Sequence, residues 1–171
     1  DYKLAGDAAY SDYRFNDALV AYTQAERYVP KMMTIEWAEL QDALGKSNWA
    51  LGIRMAGAES AKYLQDALSA VRATLTVLTK DLLPQNWARS QNSLGVVLSE
   101  QGARIGGEAG TRLLAQAVQA YKAALTVQTK ESHPQDWAAT QNNLGTALGE
   151  QGTHTSGEAG TRLLAQAVQA Y

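Results

Sequence analysis

Tryptophan recurs every fifty residues along this chain, at Trp37, Trp87 and Trp137. Each is followed by Gln after four residues and by a Leu-Gly pair after seven and eight, which gives Gln41, Leu44 and Gly45, then Gln91, Leu94 and Gly95, and then Gln141, Leu144 and Gly145. A fixed period of this length is typical of repeat proteins, in which copies of one supersecondary unit stack on their neighbours. The period therefore predicts a stack of similar units without a single central core.

The last two copies of the repeat have almost the same sequence. Residues 84–121 and 134–171 align without a gap and differ at 11 of their 38 positions. The run 107–121 recurs unchanged as 157–171. Because the identity extends to polar surface positions, it indicates a recent duplication. A residue therefore gains no functional weight merely by being shared between these two copies.

Each repeat is predicted to fold as a helical hairpin. In the third repeat, apolar residues spaced three and four apart predict a first helix over about 85–101 and a second over about 109–131. Pro84 suits the first helical turn. Gly102 is expected to end the first helix in a left-handed conformation and to open a Gly-rich connector over 102–110. The predicted inner face of the second helix consists of Leu114, Ala117, Tyr121, Ala124 and Leu125.

Glycine also recurs inside the predicted first helices, at Gly45, Gly95 and Gly145. Glycine in a helix interior costs about 1 kcal/mol relative to alanine. A chain that keeps it at the same place in three repeats is expected to need a close approach of two helices there. The N-terminal segment follows a shorter version of the pattern, with helices predicted near 2–13 and 16–28.

The charge pattern argues against nucleic acid as a partner. The 171 residues carry a formal net charge of −2, with acids and bases interspersed and no basic run. A phosphate-binding surface needs clustered Lys and Arg. No apolar stretch approaches the roughly 20 residues that span a bilayer, so no membrane insertion is predicted.

The compartment is only weakly constrained by the sequence. No signal peptide is visible, and the absence of cysteine excludes disulfides and thiol chemistry without fixing the compartment. A cytoplasmic location is favoured. Both ends look cut, because residues 1–4 begin inside an amphipathic pattern and Tyr171 falls in the middle of a predicted helix. We therefore expect a fragment of a longer protein, and a targeting signal could lie outside it.

The spacing of small and aromatic residues resembles the signature of the tetratricopeptide repeat family. The matching residues are Gly6, Phe15, Ala18, Tyr22, Ala25 and Pro30 near the N-terminus, and Leu94, Gly95, Gly102, Leu114, Ala117, Tyr121 and Ala124, with an insertion, in the third repeat. The Pro-Gln-Asp-Trp-Ala and Gln-Asn-Asn-Leu-Gly segments resemble long repeats, of about 50 residues, in large bacterial multidomain proteins. Some of those proteins carry a caspase-like protease or another effector domain. His133-Pro134 and Asn142-Asn143-Leu144 are similar to kinesin light chain repeats.

The resemblance implies an all-α fold, a right-handed α-solenoid of antiparallel helical hairpins. It implies one repeat domain over residues 1–171, with repeats at 1–33, 34–83, 84–133 and 134–171, the last of them truncated. In the family, the first helix of each hairpin lines a concave groove that binds a peptide or a helix of a partner protein. The groove sites carried over to this chain are Lys46, Trp49, Arg89, Asn92, Ser93, Val96, Ser99, Asn142, Asn143 and Thr146.

Asparagine at such groove positions holds a peptide backbone in the family, because a carboxamide both donates and accepts hydrogen bonds. The alternative for Asn92, Asn142 and Asn143 is a solvated helix face. The basic clamp that some members use for a terminal carboxylate is not reproduced, since Asp7 and Asn92 stand at the matching sites.

The tryptophans have two interpretations. The periodic Trp37, Trp87 and Trp137 are predicted to pack between adjacent repeats, because they recur in step with the core pattern. Trp49 lies outside the period, since its counterparts are Ser99 and Gly149. It is predicted either to anchor a ligand on the groove wall or to pack against the shorter N-terminal repeat.

No enzyme, metal site or cofactor site is predicted. The glycines of 102–110 are not followed by the Lys of a phosphate-binding loop, and no strand precedes them. The two histidines, His133 and His154, lie in no metal-ligand or acid–base cluster. Acidic residues such as Glu100, Glu108 and Glu150 are interpreted as exposed helix-end residues.

Three functions are compatible with this sequence. The favoured one is a protein–protein interaction scaffold that binds a peptide or helix in its groove. The alternatives are a structural module whose similar repeats stack end to end between chains, and a regulatory arm of a larger bacterial effector or protease. The sequence names neither the partner nor the attached domains.

Overall fold

The computed structural model describes residues 2–29 and 34–170, and its helices fall into two units. The units are Asp1–Leu82 and Leu83–Tyr171. The described residues form eight α-helices and no strand. The all-α prediction is therefore confirmed. Each helix pair falls inside one of the four predicted repeats, whose boundaries remain a prediction.

The first unit contains two hairpins. Its helices are α1 (Tyr2–Ser11), α2 (Phe15–Glu26), α3 (Ile35–Gly52) and α4 (Gly57–Val77). Consecutive helices pack on one another, and α1 also contacts α3. The observed α1 and α2 match the predicted helices to within two residues at each end. Pro30, the last residue of the family-like signature, lies outside the described residues.

A tyrosine packed on a glycine organises the first hairpin. Tyr22 is 3% exposed, and a Cβ atom placed on Gly6 would lie only 2.5 Å from its ring. The Tyr22 hydroxyl donates a hydrogen bond to Oδ1 of Asp7 at 2.8 Å. Ala18 and Leu40 complete the buried cluster around this ring. A small residue in α1 is thus what lets α2 approach it closely.

The second unit repeats this arrangement with longer helices. They are α5 (Pro84–Ile105), α6 (Gly107–Leu125), α7 (Pro134–Thr153) and α8 (Gly157–Ala170). Consecutive helices pack on one another, and α5 also contacts α7. Within the described residues, α6 and α8 do not pack on each other. The first helices of the two hairpins therefore lie side by side.

The predicted close approach at the mid-helix glycines is confirmed for Gly45 and Gly95. A Cβ atom on Gly95 would lie 2.5 Å from Cε1 of Tyr121, and one on Gly45 would lie 3.1 Å from Cγ2 of Val71. The expected partner of Gly145 is Tyr171, which lies outside the described residues.

The predicted inner face of α6 is buried at four of its five positions. Leu114, Ala117 and Ala124 are 0% exposed and Tyr121 is 2% exposed. Leu125 is only half-buried. Full burial of a leucine side chain contributes about 1.5–3 kcal/mol, so this face is a main source of stability for the second unit.

The prediction that Gly102 ends the first helix is wrong. Helix α5 continues to Ile105, and the left-handed backbone occurs at Gly106 and Gly107, with φ of 66° and 57°. Gly102 lies inside α5, and glycine is needed there because α6 packs closely against this position. A Cβ atom there would lie 2.9 Å from the carbonyl oxygen of Gly110. The predicted connector over 102–110 shrinks to Gly106.

The second helix is shorter than predicted, ending at Leu125 and not at 131. Threonine hydroxyls compete with the helical backbone for hydrogen bonds. The Thr126 hydroxyl donates to the carbonyl oxygen of Ala123, and the Thr129 hydroxyl accepts from the backbone N–H of Ser132. The chain turns there, and Pro134 opens α7 at the first helical position.

None of the helices in the described ranges is both long and apolar enough to cross a bilayer.

Candidate functional site

The ten predicted groove residues all lie on the first helices of their hairpins. Helix α3 carries Lys46 and Trp49; α5 carries Arg89, Asn92, Ser93, Val96 and Ser99; and α7 carries Asn142, Asn143 and Thr146. In the second unit, where α5 contacts α7, eight of these residues occupy two adjacent helices. The candidate site is therefore built from the second unit.

Two side-chain hydrogen bonds join α5 to α7. The Nδ2 amide of Asn143 donates to Oδ1 of Asn92 at 3.1 Å, and both residues are half-buried. Near the start of α7, Nε of Arg89 donates to Oδ2 of Asp136 at 3.2 Å, in an exposed ion pair. An exposed pair of this kind contributes little to stability. The amide pair is the more sheltered of the two contacts.

The neighbouring predicted residues are more open. Asn142 is exposed and Ser93 is half-buried. Among the described residues, neither side chain makes a hydrogen bond. The exposed Thr146 hydroxyl donates to the backbone carbonyl of Asn142 at 3.1 Å. This part of the surface therefore offers polar groups to an incoming partner.

A pocket of about 160 Å³ lies between α5 and α7, with Tyr121 of α6 as part of its wall. Four of the predicted groove residues line it, namely Val96, Ser99, Asn143 and Thr146. The other lining residues were not predicted and are Glu100, Ala103, Tyr121 and Glu150. The structure thus brings half of the predicted second-unit residues together around one cavity.

Two carboxylates from equivalent places in successive repeats face this pocket. Glu100 is held by Arg104, whose Nε lies 2.6 Å from Oε1. Among the described residues, no ion pair involves Glu150. Burial raises the pKa of the Glu150 carboxyl above its ordinary value, the Glu100 carboxylate raises this pKa further, and His154 acts in the opposite direction. The pocket therefore carries an under-compensated negative charge.

The prediction that Glu100 and Glu150 are exposed is wrong, since both are half-buried. The error follows from the one at Gly102. Because α5 runs on to Ile105, Glu100 lies more than one turn inside the helix and faces α7. Glu108, which opens α6, is exposed as predicted. The signal that could have revealed the pair is the recurrence of Glu at the same place in both repeats, beside predicted groove residues.

Two hydroxyl groups complete the wall. The Ser99 Oγ atom is shielded from solvent and has no hydrogen-bond partner. Tyr121 is 2% exposed, and no hydrogen bond of its hydroxyl is found within the described residues. Burial raises the pKa of Tyr121 to about 12, with Glu150 adding to the rise and the neighbouring Ser99 hydroxyl opposing it. The two hydroxyls are close, but their geometry does not make a hydrogen bond.

The first unit places its two predicted groove residues differently. Lys46 is exposed and pairs with Asp42 on its own helix, with Nζ 2.6 Å from Oδ2. Trp49 is half-buried and packs against a cluster that contains Phe15 and Leu51. Its indole Nε1 is buried without a hydrogen-bond partner. These contacts agree with the packing interpretation of Trp49.

A larger cavity of about 460 Å³ lies in the first unit, among α2, α3 and α4. Its floor is apolar, with Leu19, Leu44 and Ala70. Gln41 on its wall donates to Oε1 of Glu26 at 2.8 Å. None of the predicted groove residues lines this cavity, so it is not part of the candidate site.

The periodic tryptophans Trp37, Trp87 and Trp137 are all half-buried. The ammonium group of Lys130, from the preceding turn, lies 5.6 Å from the centre of the Trp137 ring. Trp137 therefore contacts the end of the preceding repeat. A general role in sealing the repeats remains a prediction.

The histidines have ordinary structural surroundings. Nδ1 of His133 lies 2.8 Å from the Ser132 hydroxyl and 3.4 Å from the side-chain amide of Gln85. In the described part of the chain, no group of three or more His, Cys, Asp or Glu residues is arranged to hold a metal ion. The glycines at 106 and 107 join two helices, and no strand precedes them in the described residues.

Comparison of the chain with protein-family models, with curated protein sequences and with solved structures finds no match.

Proposed function

We propose that this chain is a protein–protein interaction scaffold with a tetratricopeptide-like superhelical arrangement, and that the α5–α7 surface binds an extended peptide of a partner protein. The observation that carries the proposal is the pocket between α5 and α7, which is lined by Val96, Ser99, Asn143 and Thr146. These residues were assigned to the groove by the resemblance to tetratricopeptide repeats. Their convergence on one cavity supports the groove assignment.

The amide pair is suited to a peptide backbone. Because Asn143 Nδ2 donates to Asn92 Oδ1, the Asn92 amide keeps its N–H donors and Asn143 keeps its carbonyl oxygen. A carboxamide can serve as donor and acceptor at once. The pair therefore presents one donor group and one acceptor atom, the set that a backbone amide needs. The mutual hydrogen bond also holds both groups in place before a ligand arrives, which lowers the entropy cost of binding.

Trp49 contributes less to this proposal than the sequence suggests. Its ring is engaged with the Phe15 cluster, so a ligand would reach only the exposed part of the side chain. We place the main binding surface in the second unit.

The test is selection of peptides from a random library displayed on phage, with the immobilised 171-residue chain as bait. Affinities of the selected peptides are then measured by isothermal titration calorimetry. We expect Asn143→Ala to weaken binding at least about tenfold, since the peptide loses a half-buried hydrogen-bond partner. The matched control is Gln119→Ala, which removes an exposed amide from α6 and should leave affinity unchanged. Failure to select any peptide, or equal affinities for both variants, would contradict the proposal.

A second candidate function, self-association, is favoured by one observation. Leu164 and Val168 on α8 are 42% and 76% exposed, whereas Leu114 and Val118, in an identical stretch of α6, are 0% and 5% exposed. Helix α6 is covered by both α5 and α7, whereas among the described helices only α7 packs on α8. We propose a second copy of the chain as the occupant of this face, in a head-to-tail contact.

Light scattering over a concentration series tests this second candidate. The expected result is a mass that rises with concentration and that Val168→Lys reduces to the monomer value. Gln169→Lys, which adds the same charge at an exposed neighbouring position, is the matched control. A monomer at every concentration would reject self-association without affecting the peptide-binding proposal.

A further inference from the structure

The pocket between α5 and α7 has an unusual charge composition for a peptide-binding groove. Glu100 and Glu150 contribute two negative charges, and Arg104 contributes one positive charge, paired with Glu100. The sum over these three side chains is −1. One added positive charge would balance it.

The position of Glu150 adds to the case for a missing cation. This residue lies in the last turn of α7, where the helix dipole favours positive groups and disfavours carboxylates. Its carboxylate is also half-buried and close enough to Glu100 to be repelled by it. A half-buried, unpaired carboxylate at a helix C-terminus is stabilised more by a ligand cation than an exposed carboxylate that already has a partner.

The uncharged groups of the pocket supply acceptors for the same ligand. Ser99 Oγ is buried and unpartnered. The Tyr121 hydroxyl belongs to a side chain that is 98% buried, and its oxygen is available as an acceptor. Asn143 uses its amide N–H toward Asn92, which leaves its carbonyl oxygen as a further acceptor. Buried polar atoms of this kind are stabilised once they gain a partner.

We propose that this pocket binds the ammonium group of a lysine side chain of the partner peptide, with Glu150 as its charge partner. The inference rests on the proposed peptide-binding function and names the side chain that the second unit recognises. Ser99, Tyr121 and Asn143 accept the hydrogen bonds that remain.

A lysine fits this pocket better than other cations. Its ammonium group is a compact charge with three donors on a flexible stem, and these can point to acceptors on different walls. Arginine presents its donors in one plane, which can match the carboxylate of Glu150 but cannot at the same time reach acceptors on the other walls. A divalent metal ion would leave the cluster with excess positive charge. The volume of about 160 Å³ is several times the roughly 30 Å³ share of a water molecule, so the end of an aminobutyl chain fits.

The experiment uses the peptides selected on the full 171-residue chain. We expect lysine to be enriched at one position among them. A selected peptide is then synthesised with lysine, norleucine, arginine or Nε-acetyl-lysine at that position, and its affinity is measured by calorimetry. Norleucine and acetyl-lysine, which keep the stem and remove the charge, should each weaken binding at least about tenfold, because a sheltered charge partner is left alone. Arginine should bind less tightly than lysine.

Variants of the chain test the partner assignment. Glu150→Gln should lower the affinity for the lysine peptide about tenfold or more and leave the affinity for the norleucine peptide unchanged. Glu131→Gln removes the same charge at an exposed position outside the pocket and should change neither. Circular dichroism checks that both variants fold. The wild-type comparison of lysine with norleucine tests the charge requirement even if Glu150→Gln does not fold.

The outcomes separate this inference from the proposed function. Peptides that are selected without a basic residue, or that bind equally well with norleucine, overturn the lysine pocket but keep the groove. A preference for arginine over lysine also overturns it. If the library yields no binding peptide at all, both proposals fail together.

Discussion

The first and second units contain the same contact between a tyrosine and a glycine, but the tyrosine hydroxyl has a different environment in each. In each, a tyrosine ring lies on a helical glycine, Tyr22 on Gly6 and Tyr121 on Gly95. The residue after the glycine is Asp7 in the first unit, and it accepts the Tyr22 hydroxyl at 2.8 Å. In the second unit that residue is Val96, which cannot accept a hydrogen bond.

The difference shows how one packing contact can either close or leave open a polar group. Core packing is kept in both units, because the ring and the glycine are unchanged. The polar end of the tyrosine is satisfied internally in the first unit, while in the second it faces a pocket with Ser99 and Glu150. One substitution next to a core glycine therefore separates a closed contact from one that is open to a ligand.

The largest effect is expected from Gly95→Ala. The added methyl group would overlap the ring of Tyr121, which is 2% exposed and has little room to move. Overpacking of this kind costs about 1–3 kcal/mol, partly offset by the roughly 1 kcal/mol that alanine gains over glycine in a helix. We expect a net loss of up to about 2 kcal/mol in the free energy of unfolding, measured with urea. Gly45→Ala is the control, since its Cβ would lie 3.1 Å from Val71 and otherwise only at ordinary contact distances. It should cause no loss and could gain up to about 1 kcal/mol.

A smaller effect distinguishes the two tyrosines. Tyr22→Phe removes the hydrogen bond to Asp7 and should destabilise the chain by about 1 kcal/mol. Tyr121→Phe removes no internal hydrogen bond, so its stability should stay within about 0.5 kcal/mol of the wild type, while the affinity for a lysine peptide falls. Urea unfolding and calorimetry provide the two measurements. Equal destabilisation by both variants would show that the two hydroxyls are equally engaged, and would remove the contrast drawn between the units.

The smallest effect concerns pH. The ordinary value for Glu150 is 4.5, and burial with Glu100 raises the pKa in the folded chain. The folded state then binds more protons than the unfolded state between the two pKa values, so this carboxyl lowers stability as pH rises through that interval. Relative to Glu150→Gln, the wild type should lose stability between pH 4 and pH 7. Urea unfolding of both proteins at the two pH values measures the difference. A wild type that gains stability relative to the variant over this range would contradict the sign.

The sequence was sufficient to predict the hairpins and the helix contacts that depend on local pattern. The fifty-residue period located three helix pairs and a shorter version of the pattern located the first, and the recurring Gly95 indicated a tight helix contact without showing its partner. The hairpins and the glycine contact depend on periodicity, which is a property of the chain itself. Assignment of Val96, Ser99, Asn143 and Thr146 to one surface came instead from the resemblance to tetratricopeptide repeats.

The features that were missed depend on what lies across the helix interface. Whether Gly102 ends a helix or allows a close approach is decided by the Gly110 backbone opposite it. The burial of Glu100 depends on how far α5 continues and on the position of α7. The engagement of Trp49 with Phe15 likewise joins residues far apart in sequence. Contacts between residues that are far apart in the chain leave no pattern in the local sequence.

The identical segments in α6 and α8 provide an internal standard. Residues 107–121 and 157–171 share one sequence, so their amides have the same intrinsic rates of hydrogen exchange along the shared run. One copy lies under α7, and the other leaves Leu164 and Val168 exposed. The ratio of protection factors at matched positions therefore reports, in a single sample, how strongly a neighbouring helix suppresses local opening. The duplicated stretch thus allows the energy of one repeat interface to be measured without any mutation.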